Sequence, residues 1–210
     1  MLREDDMITN WRCRFIGGGL LAAVMTGAGA AGFNYSYAEI GYSSINSDPL
    51  DAKGGAAELS IAAGDYVHVK GGYAHYNSAD LYRKRGFPFG GTNTLSVDID
   101  AFSIGIGGNY TVHRKVDLTG TLSYLDNEYT GDSNNSDRGY GLEVGARVQA
   151  LKKLEMTPSL VKVNTDQFDD TGYSLGLVYA LNKQYSIRTR VRRFSDDDVT
   201  DFFAGVRLNF

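Results

Sequence analysis

The chain has 210 residues, with 26 Gly, 3 Pro, 1 Cys, 14 Tyr, 10 Phe and a formal net charge of −4. That length suits one domain, and the acidic balance, with a pI near 5.4, argues against a nucleic-acid partner. Mean hydropathy is −0.27, and no apolar run approaches the ~18 residues of a spanning helix.

Residues 1–30 read as a cleaved export signal. Arg12 and Arg14 precede a short apolar stretch, Phe15 to Met25, and Ala28-Gly29-Ala30 fits the small-x-small cleavage pattern. Cleavage is expected after Ala30, which leaves 31–210 as the mature chain. Glu4, Asp5 and Asp6 are unusual in such a segment and make Met7 an alternative start. The one cysteine, Cys13, lies here. The mature chain therefore has no disulfide, thiol nucleophile or cysteine-bound zinc. Cys13 also precedes the apolar stretch, which is the wrong place for a lipid-bearing cysteine.

From Phe33 onward, period-2 segments of about 10 residues alternate with turn residues. The first, Phe33 to Ile45, sets Ala38, Ile40 and Tyr42 against Tyr37 and Glu39. The second, Gly54 to Ala63, sets Ala57, Leu59 and Ile61 against Glu58 and Ser60, and Gly64-Asp65 turns the chain. The third, Tyr66 to Tyr76, sets Val67, Val69 and Tyr73 against His68 and Lys70. A long polar loop is expected over 77–93. Phe102, Ile104, Ile106 and Tyr110 mark a fourth strand, and Leu118, Leu122 and Tyr124 a fifth. An acidic loop over 130–137 leads to Tyr140, Leu142 and Val144, then Lys152-Lys153 to Leu154, Met156, Pro158 and Leu160. After a loop over 164–171 come Tyr173, Leu175, Leu177 and Tyr179, then Tyr185, Ile187 and Val191. Following 195–199, the last strand alternates Phe202, Ala204, Val206, Leu208 and Phe210 with Gly205, Arg207 and Asn209.

The pattern predicts an all-β, antiparallel up-and-down barrel of ten strands. Eight strands are the alternative, since Pro158 cannot donate to a ladder. Short turns near 64, 113, 152 and 183 alternate with mostly longer loops near 49, 85, 133, 167 and 197, as in outer-membrane barrels. Periodicity alone also allows a soluble barrel with its apolar face inward. The export signal, the loop asymmetry and the terminal Phe210 favour a transmembrane barrel of the bacterial outer membrane.

The segments Asn34 to Tyr42, His68-Val69-Lys70-Gly71-Gly72-Tyr73, Glu143 to Arg147 and Phe203 to Phe210 carry a resemblance. The chain resembles small proteobacterial outer-membrane barrels of the OmpA/OmpX-like type. Within them it is similar to a family sometimes described as diffusible-signal or quorum-sensing-type outer-membrane proteins. The resemblance implies a location and a fold more than an activity. It also implies that Phe202, Val206, Leu208 and Phe210 form the signal read by the barrel-assembly machinery. Outer-membrane lipid and lipopolysaccharide are the other partners expected, and the chain is expected to be a monomer. No periplasmic peptidoglycan-binding domain is expected.

The lumen face carries the most information. Arg188, Arg190 and Arg192 share one face at i, i+2 and i+4, and Lys70, Arg147 and Arg207 join them by phase. Hairpin pairing is expected to place Arg190 near Gly176 and Gly205, which make room for a guanidinium. Glu58, Asp117, Glu143, Glu155 and Glu39 are the acids on the same side. The expectation is a mutually neutralising network in a narrow or plugged lumen, hence a structural, envelope-supporting role. The alternative is a small passive pore with weak anion preference along the ladder. The loop bearing Tyr82, Arg83, Lys84, Arg85, Phe87 and Phe89 offers a third reading, surface recognition or signalling through lipopolysaccharide phosphates or another partner. The acidic loops, with Asp201 counted among them, match no calcium-loop spacing. Of the three histidines, His113 falls in a turn, His68 in the lumen and His75 near the outer rim, with no Ser-His-acid or Asp-His motif visible. No enzymatic activity, cofactor or metal is expected.

Overall fold

The structure is a computed structural model that describes residues 32–47, 51–81, 95–131, 135–195 and 198–210. The expected export signal and the recognition loop from Tyr82 to Phe89 lie outside them. The described residues form ten strands: β1 Tyr37–Asn46, β2 Asp51–Ala62, β3 Val67–Leu81, β4 Leu95–His113, β5 Val116–Thr130, β6 Asn135–Leu151, β7 Leu154–Thr165, β8 Asp169–Ala180, β9 Tyr185–Phe194 and β10 Thr200–Asn209. Each pairs antiparallel with its neighbours in sequence, and β1 pairs with β10 to close the barrel. The ten-strand reading holds and the eight-strand alternative does not.

Local chemistry makes the turns at one end. Gly64 takes φ 91°, a left-handed backbone that glycine adopts without steric cost. Asn182 closes the β8–β9 turn, its side-chain oxygen accepting the N–H groups of Gln184 and Tyr185, each at 2.8 Å. At the opposite end the strands run further than the alternation suggests. β3 reaches Leu81 and β4 begins at Leu95, β6 begins at Asn135, and β7 and β8 are separated by three residues only, 166–168. The expected loops at 77–93, 130–137 and 164–171 are therefore too long. Beyond the apolar band both faces of a strand are polar, so the period-2 signal fades while the hydrogen-bond ladder continues. Inward-facing Asp137 secures this end, accepting Thr165 Oγ1–H at 2.8 Å and the Gln167 N–H at 3.0 Å.

Pro158 is accommodated without a register change. The β6–β7 ladder pairs Gly145 with Ser159 and Val148 with Met156, and skips the two residues between on each strand. On the other side Pro158 pairs with Leu175 as part of an unbroken ladder. The missing N–H costs a local gap and nothing more.

The apolar set faces outward. Ile40, Leu118, Ile106, Val144, Leu160 and Val206 are among many large apolar side chains left exposed. Tyr66, Tyr110, Tyr179, Tyr185 and Phe210 form a belt near the turn end; Tyr42, Tyr73, Phe102, Tyr124, Tyr140 and Tyr173 form another toward the loop end. An apolar band between two aromatic belts is the outer surface of a membrane barrel, and it excludes the soluble alternative. Ile106 lies midway between Phe102 and Tyr110 in β4. Ile106→Lys is expected to destabilise the barrel by about 2–4 kcal/mol, the cost of a cation at mid-bilayer depth. Urea titration of the protein in phospholipid vesicles reads this directly; an unchanged midpoint would put residue 106 outside the lipid band.

Candidate functional site

The inward residues are charged in the turn-end half of the barrel and apolar on one side of the loop end. There Ala52, Ala74, Tyr76 and Ile99 form a buried cluster packed against Ile45, Val97 and Tyr129.

The segment that precedes β1 lies across the turn end. Phe33 and Tyr35, which precede β1, are both buried. Arg147 stands over their rings at 5.0 and 4.5 Å and donates to the Asn34 carbonyl at 2.9 Å. The guanidinium also forks onto Glu155, Nε to Oε1 at 2.7 Å and Nη2 to Oε2 at 2.8 Å. A bidentate pair of this kind is strong and directional. Tyr35 donates its hydroxyl to Asp117 at 2.9 Å and stacks on His68 at 5.0 Å. Thr111 supplies the second hydroxyl to Asp117 at 2.8 Å. Side-chain bonds to backbone carbonyls complete this layer, with Ser60 Oγ donating to the Tyr35 carbonyl at 2.8 Å and Asn34 Nδ2 to the Phe210 carbonyl at 3.1 Å.

Above this layer lies the charge network. Glu39, with its side chain only 3% exposed, takes a hydrogen bond from Arg207 Nε and a longer one from Arg188 at 3.3 Å. The Arg207 guanidinium lies over the Tyr37 ring at 3.9 Å, and the Tyr37 hydroxyl donates to Glu58 at 2.7 Å. Lys70 pairs with Glu58 at 3.2 Å. Higher still, Arg190 meets Asp201 at 3.4 Å, and Arg192 lies 3.9 Å from both Asp201 and Glu143. Glu143 also accepts from Ser159 at 2.6 Å. These groups surround a lumen cavity of about 300 Å³.

Residues 18–210 match the family model for the outer membrane protein beta-barrel domain. The chain belongs to that family. Its barrel is thus a bacterial outer-membrane barrel, with the short turns at the periplasmic end and the loops outside. Among solved structures it is similar to the KdgM porin (14% identity, TM-score 0.47, covering 82% of this chain and 99% of that one). It is also similar to OprG from Pseudomonas aeruginosa (11%, TM-score 0.48, 86% and 98%) and to the translocator domain of the autotransporter NalP from Neisseria meningitidis (10%, TM-score 0.49, 85% and 90%). Likeness at this level carries no argument about activity. No curated protein sequence matches the chain.

The lumen of this outer-membrane barrel gathers the charged residues named from phase: Glu58, Lys70, Asp117, Glu143, Arg147, Glu155, Arg188, Arg190, Arg192, Arg207 and Glu39 all face inward. Three assignments change. Asp201, placed among the loop acids, is an inward residue of β10 and the partner of Arg190. Extending the alternation of Phe203, Gly205 and Arg207 by one step would have found it. Gly205 pairs with Arg188, not Arg190, whose partners are Gly176 and Phe203. The hairpin loop is the cause: it shifts the register by two residues, which keeps every side chain on its face but changes its opposite number. The third is His75, which does have a carboxylate partner: its Nδ1 lies 2.9 Å from Asp100, which also accepts the Tyr73 hydroxyl at 2.5 Å. That trio sits on the outward face, where the β3–β4 register pairs His75 with Asp100. The first strand, read from Phe33, begins at Tyr37, and Phe33 and Tyr35 ahead of it are buried at the turn end. Outward on β10, Val206, Leu208 and Phe210 are exposed and Phe202 half-buried.

Proposed function

We propose that this outer-membrane protein is a structural barrel whose lumen is closed at the periplasmic end, with no through-channel. The supporting observation is the Phe33–Ser36 segment, held across that end by Arg147, Glu155 and Asp117. A pore through this end would have to displace two buried aromatic rings and break a bidentate ion pair, which is costly where water is scarce. Cleavage after Ala30 fits the arrangement, because it leaves two residues, Ala31 and Gly32, ahead of the plug. The reading includes no catalysis. Asp100 is shared between His75 and the Tyr73 hydroxyl, and among the described residues no serine or threonine hydroxyl meets His75. Lipid and lipopolysaccharide surround the barrel in this reading, and the assembly machinery reads β10 through Phe202, Val206, Leu208 and Phe210.

Planar-bilayer conductance tests it. The refolded mature chain should show no steady channel, and a variant lacking residues 33–36 should show one. Steady conductance by the intact chain would favour the small passive pore instead, and its ion selectivity would then report on the arginine ladder.

A further inference from the structure

Charge is unevenly divided along the lumen. Asp117 does not line the cavity: it sits in the layer at the turn end, where it accepts from Tyr35 and Thr111. Arg147 and Glu155 satisfy each other. The cavity is therefore left with five bases, Lys70, Arg188, Arg190, Arg192 and Arg207, against four acids, Glu39, Glu58, Glu143 and Asp201. The excess is concentrated at the ladder. Arg190 and Arg192 share Asp201 at 3.4 and 3.9 Å, contacts far looser than the Arg147–Glu155 fork. The Nε groups of Arg188, Arg190 and Arg192 are buried and have no hydrogen-bond partner among the described residues.

The facing wall differs in kind. β4 lies five strands from β9 in either direction round the closed sheet, so it stands directly across the lumen. Ser103 on β4 and Thr119, Thr121 and Ser123 on β5 line the same cavity. We propose that the lumen binds a small hydroxylated oxyanion, a hydroxycarboxylate or sugar phosphate, its charge on Arg190 and Arg192 and its hydroxyls on the β4–β5 wall. Guanidinium forks suit carboxylate and phosphate oxygens, and a local cationic excess in a narrow lumen concentrates anions. Serine and threonine hydroxyls donate and accept, which matches a polyol and gives nothing extra to a plain acid. A cavity of about 300 Å³ accommodates a ligand of that size.

Calorimetric titration of the refolded mature protein in detergent micelles tests this, with tartrate, succinate and chloride at matched ionic strength. Tartrate should bind at one site, more tightly than succinate, with chloride giving no saturable heat. Arg190→Gln/Arg192→Gln should weaken tartrate at least tenfold, while Lys183→Gln in an exposed turn leaves it unchanged. Thr121→Val/Ser123→Ala, which leaves every charge in place, should erase the preference for tartrate over succinate. No saturable tartrate heat, equal affinity for the two acids, or full binding by the arginine variant would each overturn the proposal. Micelle binding reads the cavity alone, so the result stands apart from whether the barrel conducts.

Discussion

Gly41→Val abolishes the folded, heat-resistant form of the barrel on an unheated gel: that is the expected result of the largest single perturbation. Gly41 of β1 pairs with Gly205 of β10 at the seam that closes the sheet. A Cβ on Gly41 would stand 2.6 Å from Gly205 Cα and closer still to the Ala204 carbonyl oxygen. Both obstacles are backbone, so no side chain can rotate away. Relief requires the two strands to separate, and an open edge in lipid leaves backbone groups unpaired. Overpacking in a soluble core costs about 1–3 kcal/mol and occasionally more; at a closing seam the whole ladder between two strands is at stake. Gly55→Val is the control, since a Cβ there meets only the Gly41 carbonyl at 3.9 Å. It should fold as the wild type does. A folded Gly41→Val barrel would mean that the seam has slack.

Glu39→Gln should lower unfolding stability by about 3–5 kcal/mol, the usual cost of stranding a buried charge. Glu39 stands opposite Arg207 across the same seam and receives Arg188 at 3.3 Å. Its side chain and that of Arg207 are each 3% exposed. Glutamine preserves the shape but leaves two guanidinium groups facing each other without their anion. Glu39→Gln/Arg207→Gln should recover much of the loss, because the uncompensated cation leaves with its partner. Urea-induced unfolding in vesicles measures both. A Glu39→Gln midpoint equal to the wild type would show that lumen water already screens the pair.

Much of this was legible in the chain before folding, and the limit has a physical basis. Ile40, Leu59, Ile104, Val144 and Val206 face outward as their phase requires, because a strand turns alternate side chains to opposite faces. The same rule placed Arg188, Arg190, Arg192 and Arg207 inside together. Phase does not reach residues where both faces are polar, so the loop ends of β3, β4 and β6 escaped it; Asp201, one step beyond Phe203 on the same face, lay within its reach. Nor does it choose partners: the two-residue shift that moves Gly205 from Arg190 to Arg188 leaves every face unchanged.

What the sequence by itself determined was the alternation: which residues form strands, which side chains share a face and which of the two faces carries the charges. These follow from local rules of period and turn chemistry, repeated down the chain. Only the tertiary structure decided the strand count, how those charges pair and that the rings of Phe33 and Tyr35 lie under Arg147. Asn34 and Arg147 are 113 positions apart in the chain. A contact of that kind exists only after the sheet has curled and closed, so no local pattern encodes it.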